Sequence, residues 1–436
     1  MKCIQCGTDN TLKDRTSAYG RCKNCQHPFV FEPTSMGNAK ITDPMFAKAI
    51  ADLSANGTLF FTPKQFFYFI ENRGRTKSAT PLAALLFIFV VLNIWGFGFI
   101  GGLLMIVMGG SKLAFPIALI LINLAFIATL YYSSQSSRGN YHSRKQAARG
   151  LQAIGGITLV AGSLSGLLIY HSLPLAVIAV TLGILAIVLG RLQLSKQSKI
   201  AQTLLITQDQ FGYWLTRWQQ VNGPIEKMLS PPQQDASPVP VTSDITAYSF
   251  DRLVVCDRPE MAQLLIANNF HFENNCAILS ITGYPPTIFN TTMEMLRRNP
   301  DLKVYALHDC TAQGIGLVHH LRSSPDWFPD RNIAVIDVGL SPRQILSTPG
   351  IFVQNSVMAA NAAKQMPPEV RQLLSPDEIA WLEAGNFVEL ESFTPQRLIH
   401  VLNRGIAGSR ELEDSRDGGI IFLGDSGGYY ASDSFG

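Results

Sequence analysis

Charged residues are scarce in this chain of 436 residues. Only 15% are Asp, Glu, Lys or Arg, whereas roughly a quarter is usual in soluble proteins. A net charge of +3 is too small to indicate a nucleic-acid-binding protein by itself. The mean hydropathy is +0.15, and the apolar residues concentrate between about 80 and 190. A membrane-embedded middle region explains both observations.

Cysteine is also rare, and most of it lies at one end of the chain. Four of the seven cysteines fall within the first 25 residues. Single cysteines scattered through the rest are typical of a reducing cytoplasm rather than of a disulfide framework. No apolar segment separates Met1 from the first cysteine motif, so we expect no secretory signal peptide. The scattered cysteines are Cys256, Cys276 and Cys310.

The four N-terminal cysteines form two Cys-x-x-Cys pairs. Cys3 and Cys6 are separated by fifteen residues from Cys22 and Cys25. Each pair supplies two thiolates from one turn, and two such turns complete a tetrahedral site. We therefore predict a small β zinc ribbon over residues 1–34 with structural Zn²⁺, in which metal supplies the folding energy. The alternative is a reduced, metal-free cluster.

The ribbon is expected to contain strands over residues 14–22 and 28–31. Ribbons bind nucleic acid in many proteins, but the basic residues here form only a modest cluster, so protein contact or a purely structural role remains open. That cluster comprises Lys2, Lys13, Arg15, Arg21 and Lys23.

Residues 35–80 are predicted to form a helical connector of two short helices. Asp43-Pro44 and Thr62-Pro63 are helix-start signals, and Asn56-Gly57 separates them. A DNA-reading helix-turn-helix and a packing unit near the membrane are both conceivable. The second helix carries few basic residues, which favours the packing unit.

Residues 81–191 are predicted to form four transmembrane helices. No ionisable residue interrupts the four apolar segments, which disfavours a transporter and favours a membrane anchor. Two Gly-xxx-Gly patterns, Gly98 with Gly102 and Gly162 with Gly166, allow close helix contacts, including those of a homo-oligomer. The third and fourth segments could instead form a buried hairpin. The segments are Leu82–Met108, Leu113–Tyr132, Leu151–Tyr170 and Leu175–Gly190.

Basic residues are distributed unevenly around these segments. They precede the first, fill the loop Ser133–Gly150 and follow the fourth, whereas the other two connections contain only Lys112. Basic residues stay in the cytoplasm, so we expect a multi-pass protein with both termini and the central loop cytoplasmic. The basic residues are Arg73, Arg75, Lys77, Arg138, Arg144, Lys145, Arg149, Arg191, Lys196 and Lys199.

Residues 192–245 are predicted to contain an amphipathic helix and a proline-rich linker. Phe211, Trp214, Leu215 and Trp218 share one helical face. This face either lies in the bilayer interface or covers the next domain. The linker prolines are Pro231, Pro232, Pro238 and Pro240.

Residues 246–350 alternate short β-rich runs with helical segments, which predicts an α/β domain with a parallel sheet. Ligands in such sheets bind beyond the carboxyl ends of the strands, where Asp257, Asp309 and Asp337 occur. The predicted strands are Arg252–Asp257, Ala277–Gly283, Leu302–Asp309 and Asn332–Gly339, and the predicted helices are Pro259–Asn268, Ile288–Arg298 and Gln313–Leu321.

Three turns in this region resemble those of a Toprim domain, in the version found in the A subunit of topoisomerase VI and in the related meiotic DNA-breaking proteins. The resemblance covers about a quarter of the chain, residues 250–350. The turns are Gly283-Tyr284-Pro285-Pro286-Thr287, the segment from Tyr305 to Gly316 that contains His308-Asp309-Cys310-Thr311, and Asp337-Val338-Gly339-Leu340-Ser341-Pro342.

The resemblance implies a Mg²⁺ site, with Asp257 in place of the family's glutamate and Asp309 as its first aspartate. Glu260 is a less well aligned substitute for Asp257. The second aspartate is replaced by Thr311, and Pro286 stands where the family has an aspartate. The loss of a carboxylate favours binding over phosphodiester cleavage. Asp309 could equally serve as an acid at the start of a helix, which needs no metal.

The remaining residues are predicted to form a helical extension over 351–408 and a flexible tail over 409–436. No Ser-His-Asp or Cys-His nucleophile arrangement stands out, and enzyme activity stays open. The sequence thus predicts a membrane protein that presents a zinc ribbon and an inactive Toprim-like domain to a cytoplasmic protein or nucleic acid. The alternative is a membrane-tethered, Mg²⁺-dependent nuclease or phosphotransfer enzyme that uses Asp257 and Asp309.

Overall fold

A computed structural model describes most of the chain as two units. One unit combines both ends of the chain, up to Gly74 and from Leu204 onward, and the other is Arg75–Thr203. Lys112, Arg138, Lys199, Pro238, Pro240 and the predicted tail beyond Asp414 lie outside the described residues. The described residues are 1–36, 40–77, 81–111, 113–136, 141–196, 201–202, 204–232, 251–299, 302–328, 333–348 and 350–414.

The N-terminal module contains less β structure than the sequence suggests. Leu12–Ser17 is a helix, where a strand was predicted. The Thr11 side chain accepts a hydrogen bond from the Asp14 N–H, and the Asp14 side chain accepts one from the Thr11 N–H. This reciprocal capping starts a helix in the segment between the two cysteine pairs. In the described part of the module, β pairing is confined to the isolated bridges Lys2 with Asp9 and Arg21 with Pro28.

Three helices and the end of the N-terminal module share one aromatic cluster. The helices are Asp43–Leu53, Pro63–Lys77 and Gln208–Asn222. The ring centroids of Phe46 and Trp218 lie 4.7 Å apart, and those of Phe46 and Phe66 lie 4.8 Å apart. The buried members of the cluster are Val30, Phe31, Ile41, Phe46, Ala49, Leu53, Phe61, Phe66, Phe67, Tyr68, Ile70, Ile206, Phe211, Trp214 and Trp218.

This cluster decides between the two interpretations of the amphipathic helix. Phe211, Trp214 and Trp218 are buried against the connector helices and Phe31. The aromatic face therefore covers protein. It covers the N-terminal part of the chain, however, and not the domain that follows in sequence. The connector is the packing unit expected from its aromatic residues.

Two buried carboxylates join segments that are distant in sequence. The Asp43 carboxylate accepts hydrogen bonds from the N–H groups of Val30 and Phe31, both at 3.0 Å. The Glu71 carboxylate accepts hydrogen bonds from the N–H groups of Leu205 and Ile206, at 2.7 and 3.0 Å. Buried N–H groups need hydrogen-bond partners. Each carboxylate therefore supplies the partners for a segment whose N–H groups are not paired within a helix or a sheet.

The predicted parallel sheet is confirmed. Four strands, β1 (Arg252–Cys256), β2 (Cys276–Ser280), β3 (Lys303–Leu307) and β4 (Ala334–Asp337), lie in the order β2-β1-β3-β4, and each neighbouring pair is parallel. Val254 of β1 is in register with Ile278 of β2 and Tyr305 of β3. β1, β2 and β3 are almost wholly buried, which explains their continuous apolar runs, whereas in the edge strand β4 only Val335 is buried.

Helices follow each strand of this sheet, and a smaller antiparallel pair, β5 (Gln354–Asn355) with β6 (Asn386–Phe387), lies in the C-terminal extension. The helix Pro395–Asp414 runs beyond the expected start of the tail at residue 409. The other helices are Pro259–Ala267, Phe270–Asn274, Phe289–Arg298, Ala312–Ile315, Leu317–Ser323, Pro342–Ser347, Val357–Lys364, Pro368–Gln372 and Pro376–Glu383, with a 3₁₀ turn at Leu390–Ser392.

The second unit contains four helices that are long and apolar enough to cross a membrane. Large apolar side chains remain exposed on them, for example Ile106 and Phe87. Such a surface suits a hydrocarbon solvent rather than water. The first helix has a π-helical turn at Gly96–Ile100 and the third has one at Thr158–Gly162. The helices are Leu82–Val107, Ala114–Gln135, Ser143–Leu168 and Leu173–Ser195.

The third apolar helix starts earlier than the sequence suggested. Helical structure begins at Tyr141, within the predicted loop Ser133–Gly150, so Arg144, Lys145 and Arg149 lie on the first turns of the helix. Arg144 is fully buried there. The segment predicted to span the membrane, Leu151–Tyr170, carries no charged residue, so the basic residues lie on the part of the helix that precedes it. Its basic start joins a strongly helix-forming sequence whose alanines face inward.

Close helix contacts occur at one of the two predicted glycine pairs. A Cβ built on Gly166 would lie 2.7 Å from the Ala176 nitrogen, and one on Gly162 would lie 2.8 Å from the Ala179 Cβ. Gly98 and Gly102 have open space instead. In the first helix the close contacts fall at Gly96, against Ile122, and at Gly101, against Phe115.

Candidate functional sites

The four N-terminal cysteines meet at one point. The Sγ atoms of Cys3 and Cys25 lie 3.6 Å apart, as do those of Cys6 and Cys22, and all four lie within 4.8 Å of one another. A tetrahedral zinc site with Zn–S bonds of about 2.3 Å has sulfur–sulfur edges of about 3.8 Å. The arrangement therefore fits a tetrahedral metal ion such as zinc.

The two cysteine turns have the same backbone geometry. Gly7 donates a hydrogen bond to the Cys3 carbonyl and Gln26 donates one to the Cys22 carbonyl, and both residues have positive φ, at 71° and 62°. The side chain of Asn10 links the turns, because its Nδ2 donates to the Thr8 carbonyl and to Cys22 Sγ and its Oδ1 accepts from the Lys23 N–H. These contacts hold the thiols close together.

The four thiols have different environments: a hydrogen bond with the Cys25 backbone lowers the pKa of Cys22, whereas at Cys25 burial and the neighbouring thiols outweigh a backbone hydrogen bond with His27 and raise the pKa to about 12. A hydrogen bond with the Thr8 hydroxyl lowers the pKa of Cys6 to about 5. Metal ligation requires the thiolate form. The buried cluster at this site contains one residue besides Cys3 and Cys22, namely Phe29, because Val30 and Phe31 belong to the aromatic cluster instead. Metal is thus well placed to supply folding energy.

The second candidate site lies at the carboxyl ends of the strands. The strand order β2-β1-β3-β4 reverses direction between β1 and β3, and open α/β sheets bind ligands at such a switch point. Asp257 follows β1 and Asp309 follows β3. The structure brings them together, because Asp257 Oδ2 accepts a hydrogen bond from the Asp309 N–H at 2.8 Å.

Both oxygens of the buried Asp309 carboxylate already have partners in the chain. Oδ2 lies 2.9 Å from Arg258 Nη2, and Oδ1 accepts a hydrogen bond from the Leu390 N–H at 2.7 Å. Burial raises the pKa of Asp309 to about 7; the Asp257 charge adds to the shift and Arg258 opposes it. A guanidinium thus occupies the position beside Asp309 where a Mg²⁺ ion would otherwise neutralise the carboxylate.

The Arg258 guanidinium also binds Glu391, which lies in the C-terminal extension, at 2.8 Å. The Glu391 carboxylate accepts a hydrogen bond from the Thr62 hydroxyl at 2.7 Å. Lys64 forms an ion pair with Glu389 at 2.6 Å, and Tyr68 donates a hydrogen bond to the same carboxylate. Two distant parts of the chain, the connector and the C-terminal extension, therefore meet at the switch point of the sheet.

His308 joins the ends of β3 and β4. Its Nε2 lies 3.0 Å from Asp337 Oδ1 and its Nδ1 lies 2.8 Å from the Asp309 carbonyl oxygen. Both partners are acceptors, so both ring nitrogens donate and the ring is an imidazolium. Burial opposes this charge, but Asp337 outweighs it and raises the pKa of His308 to about 9. A Cβ on Gly339 would lie 2.5 Å from Nε2, so only glycine fits there.

The positions taken from the Toprim resemblance have ordinary structural roles. The Thr311 hydroxyl accepts a hydrogen bond from the Gly314 N–H and so caps the helix Ala312–Ile315. Glu260 lies in the first turn of the helix Pro259–Ala267. Among the described residues, the four cysteines are the one group of three or more His, Cys, Asp or Glu side chains placed to share an ion.

Sequence reasoning missed the groups that complete the strand-end site. Arg258 directly follows Asp257, and this adjacency was the one sign in the sequence that it belongs to the site. Glu389, Leu390 and Glu391 gave no signal, because they reach the site from more than 80 residues beyond Asp309. His308 lacked a metal-ligand spacing, and its role as a buried cation between two strands becomes visible only in three dimensions.

No protein-family model, curated protein or solved structure matches this chain. The resemblance to a Toprim domain therefore stays a prediction from the quoted turns.

We predict that the Cys22→Ser variant loses the bound metal. The wild-type chain, purified in detergent, should carry about one zinc per chain, and the variant close to none, because the fourth thiolate closes the tetrahedron. Inductively coupled plasma mass spectrometry measures both. The control is Cys276→Ala, which removes a cysteine from β2 and should retain zinc. Full zinc content in Cys22→Ser would contradict the assignment.

We predict that Arg258→Met lowers the stability of the protein markedly. The variant leaves the Asp309 carboxylate buried without a cation and Glu391 with only Lys64, at 3.9 Å, which costs about 3 kcal/mol. Thermal unfolding of the detergent-solubilised chain, followed by tryptophan fluorescence, should show a clear fall in the midpoint. The control is Arg343→Met, because Arg343 is 68% exposed and its pair with Glu378 is worth less than about 1 kcal/mol. Equal midpoints for the two variants would disprove the role of Arg258.

Proposed function

We propose that this chain is an integral membrane protein that holds a zinc ribbon and a Toprim-like α/β domain on the cytoplasmic face. There the two act as a binding or scaffold module for a cytoplasmic protein or a nucleic acid. The lipid bilayer is the partner of the four apolar helices, and a homo-oligomer is compatible with their glycine-rich contacts. The α/β domain is not a catalyst in this proposal.

The observation that carries the proposal is the closed switch point of the sheet. Arg258 pairs with Asp309 at 2.9 Å and with Glu391 at 2.8 Å, and the Leu390 N–H occupies the other Asp309 oxygen. A catalytic Mg²⁺ site needs carboxylate oxygens that are open to the ion and to the substrate phosphate. Here the chain supplies partners to both Asp309 oxygens, whereas Asp257 Oδ1 has no hydrogen-bond partner among the described residues.

The zinc assignment rests on the tetrahedral fit of the four Sγ atoms. Paired Cys-x-x-Cys turns with sulfur–sulfur distances of 3.6 Å suit Zn²⁺ in a closed, structural site. With all four ligands supplied by the protein, such an ion stabilises the module and does not activate a water molecule. This supports a binding role for the ribbon.

The cytoplasmic placement rests on two arguments. Residues up to Gly74 and from Leu204 onward belong to one unit, so the chain must leave and re-enter that unit through an even number of membrane crossings. Four apolar helices satisfy this condition. The basic residues then assign the side, because they are retained in the cytoplasm.

The second candidate function is a membrane-tethered, Mg²⁺-dependent nuclease or phosphotransfer enzyme. The contact between Asp257 and the Asp309 backbone favours it, since two carboxylates meet where α/β sheets bind ligands. In that case Mg²⁺ would have to displace Arg258 from Asp309.

We expect no saturable Mg²⁺ binding at the strand-end site. Isothermal titration of the full-length, detergent-solubilised chain with Mg²⁺ up to the millimolar range should give the same weak response in the wild type and in Asp309→Asn. The control variant is Asp209→Asn, which changes an exposed acid in another part of the unit. Tight binding that is lost in Asp309→Asn but kept in Asp209→Asn would favour the enzyme and remove the basis of the scaffold proposal.

We expect the connection between the third and fourth apolar helices to face away from the cytoplasm. In intact cells, a membrane-impermeant maleimide should label His171→Cys, which lies in that connection. Met358→Cys, on a side chain that is 83% exposed, should be labelled only after the membrane is permeabilised. The unmodified chain gives the background from native thiols. The reverse pattern of labelling would refute the orientation.

A further inference from the structure

A groove of about 420 Å³ lies between the N-terminal module and the helix Gln208–Asn222. This volume is within the range of ligand sites in proteins. On the side of the N-terminal module the groove is lined by Leu12 and Thr16, which are one turn apart on the short helix between the cysteine pairs. On the other side it is lined by Tyr213 and Arg217, which are also one turn apart. The groove belongs entirely to the unit that combines both ends of the chain.

Buried aromatic residues and exposed apolar residues both line the groove. Phe31 and Trp214 are buried, and their ring centroids lie 6.2 Å apart. Leu12 is 49% exposed and Tyr213 is 61% exposed, so both are accessible from solvent. Tyrosine, tryptophan, phenylalanine and arginine are the residues enriched in protein–protein interfaces, and all four types occur here. This composition favours a partner that places an apolar side chain between the two helices.

One positive charge in the groove is not balanced within the described part of the chain. Arg15 donates two hydrogen bonds to Glu32, at 2.9 and 3.0 Å, so these two lining residues neutralise each other. Arg217 also lines the groove and is exposed, and among the described residues its side chain contacts the Tyr213 hydroxyl, at 3.5 Å, but no acid. A guanidinium matches a carboxylate through two parallel hydrogen bonds, so Arg217 suits an acidic side chain of a partner.

The same charges disfavour a nucleic acid in this groove. Nucleic acids are held mainly by several cations that contact successive phosphates. Among the described residues that line the groove, Arg217 is the one cation without an acidic partner, and the Glu32 carboxylate in the wall repels a phosphate. An acidic peptide needs one cation for its carboxylate, and its neighbouring side chains use the apolar part of the groove.

We propose that this groove binds an acidic peptide segment of a cytoplasmic protein. A carboxylate of the peptide pairs with the Arg217 guanidinium, and a neighbouring apolar side chain packs between Leu12 and Tyr213. This inference rests on the proposed function as a binding module, and it selects a protein over a nucleic acid as the partner. It also assigns the contact to the N-terminal module and the helix Gln208–Asn222 rather than to the α/β domain.

Selection from a phage-displayed library of random octapeptides on the full-length, detergent-solubilised chain tests the site. The recovered peptides should combine Asp or Glu with an aromatic or large aliphatic residue. Fluorescence anisotropy of one such labelled peptide should show roughly tenfold weaker binding to Arg217→Gln, the worth of a hydrogen bond to a charged group. Arg343→Gln, which removes an exposed arginine that does not line the groove, should bind like the wild type. Equal affinity of the two variants for the peptide would overturn the proposal.

A second pair of variants locates the peptide. Thr16→Trp fills the groove from an exposed position and should remove most of the binding, whereas Ser17→Trp, at the next exposed position of the same helix, should not. Both should retain zinc, which shows that the module is folded. Unchanged peptide binding in Thr16→Trp would refute the groove but leave the scaffold proposal standing. Recovery of no peptide, or binding of a labelled single-stranded oligonucleotide that Thr16→Trp abolishes, would also refute the peptide, and the Mg²⁺ titration tests the scaffold proposal separately.

Discussion

The fold depends on one constraint: the two ends of a chain interrupted by four apolar helices must pack into a single unit. The aromatic cluster meets this constraint, because Phe31 from the N-terminal module, Phe46 and Phe66 from the connector, and Trp218 from beyond the apolar helices share one core. Asp43 and Glu71 attach neighbouring segments of the chain to this core, because each carboxylate accepts two hydrogen bonds from backbone N–H groups. Burial of so many aromatic rings supplies a large apolar contribution to stability.

The same unit places ion pairs at the carboxyl-end edge of its parallel sheet. Two cations, Arg258 and Lys64, face the carboxylates of Asp309, Glu389 and Glu391. Buried ion pairs add little net stability, since desolvation offsets the attraction, but losing one partner is severe. Such a network therefore acts mainly to fix which segments meet. Here it holds the connector and the C-terminal extension over β1 and β3, the two strands between which an α/β enzyme would admit its substrate.

Patterns that are local in sequence were predicted well, and those that depend on distant contacts were not. The strands β1 to β3 were recognisable because buried parallel strands are short apolar runs bounded by turns, and β4, which is only partly buried, has the same kind of run. The cysteine cluster followed from spacing alone. The helix Leu12–Ser17 was missed because the capping pair Thr11 and Asp14 outweighed the expected ribbon strand. The partners of Asp309 were missed because Glu391 and Leu390 come from another part of the chain.

The earlier start of the third apolar helix does not weaken the charge argument for orientation. Close contacts run the length of the third and fourth helices, with Gly166 against Ala176 at one end and Gly190 against Ala148 at the other, where a Cβ on Gly190 would lie 2.8 Å from the Ala148 carbonyl oxygen. The helices are therefore antiparallel, and Arg149 lies at the same end of the bundle as Arg191. In the proposed orientation this shared basic end is the cytoplasmic one, because basic residues are retained in the cytoplasm.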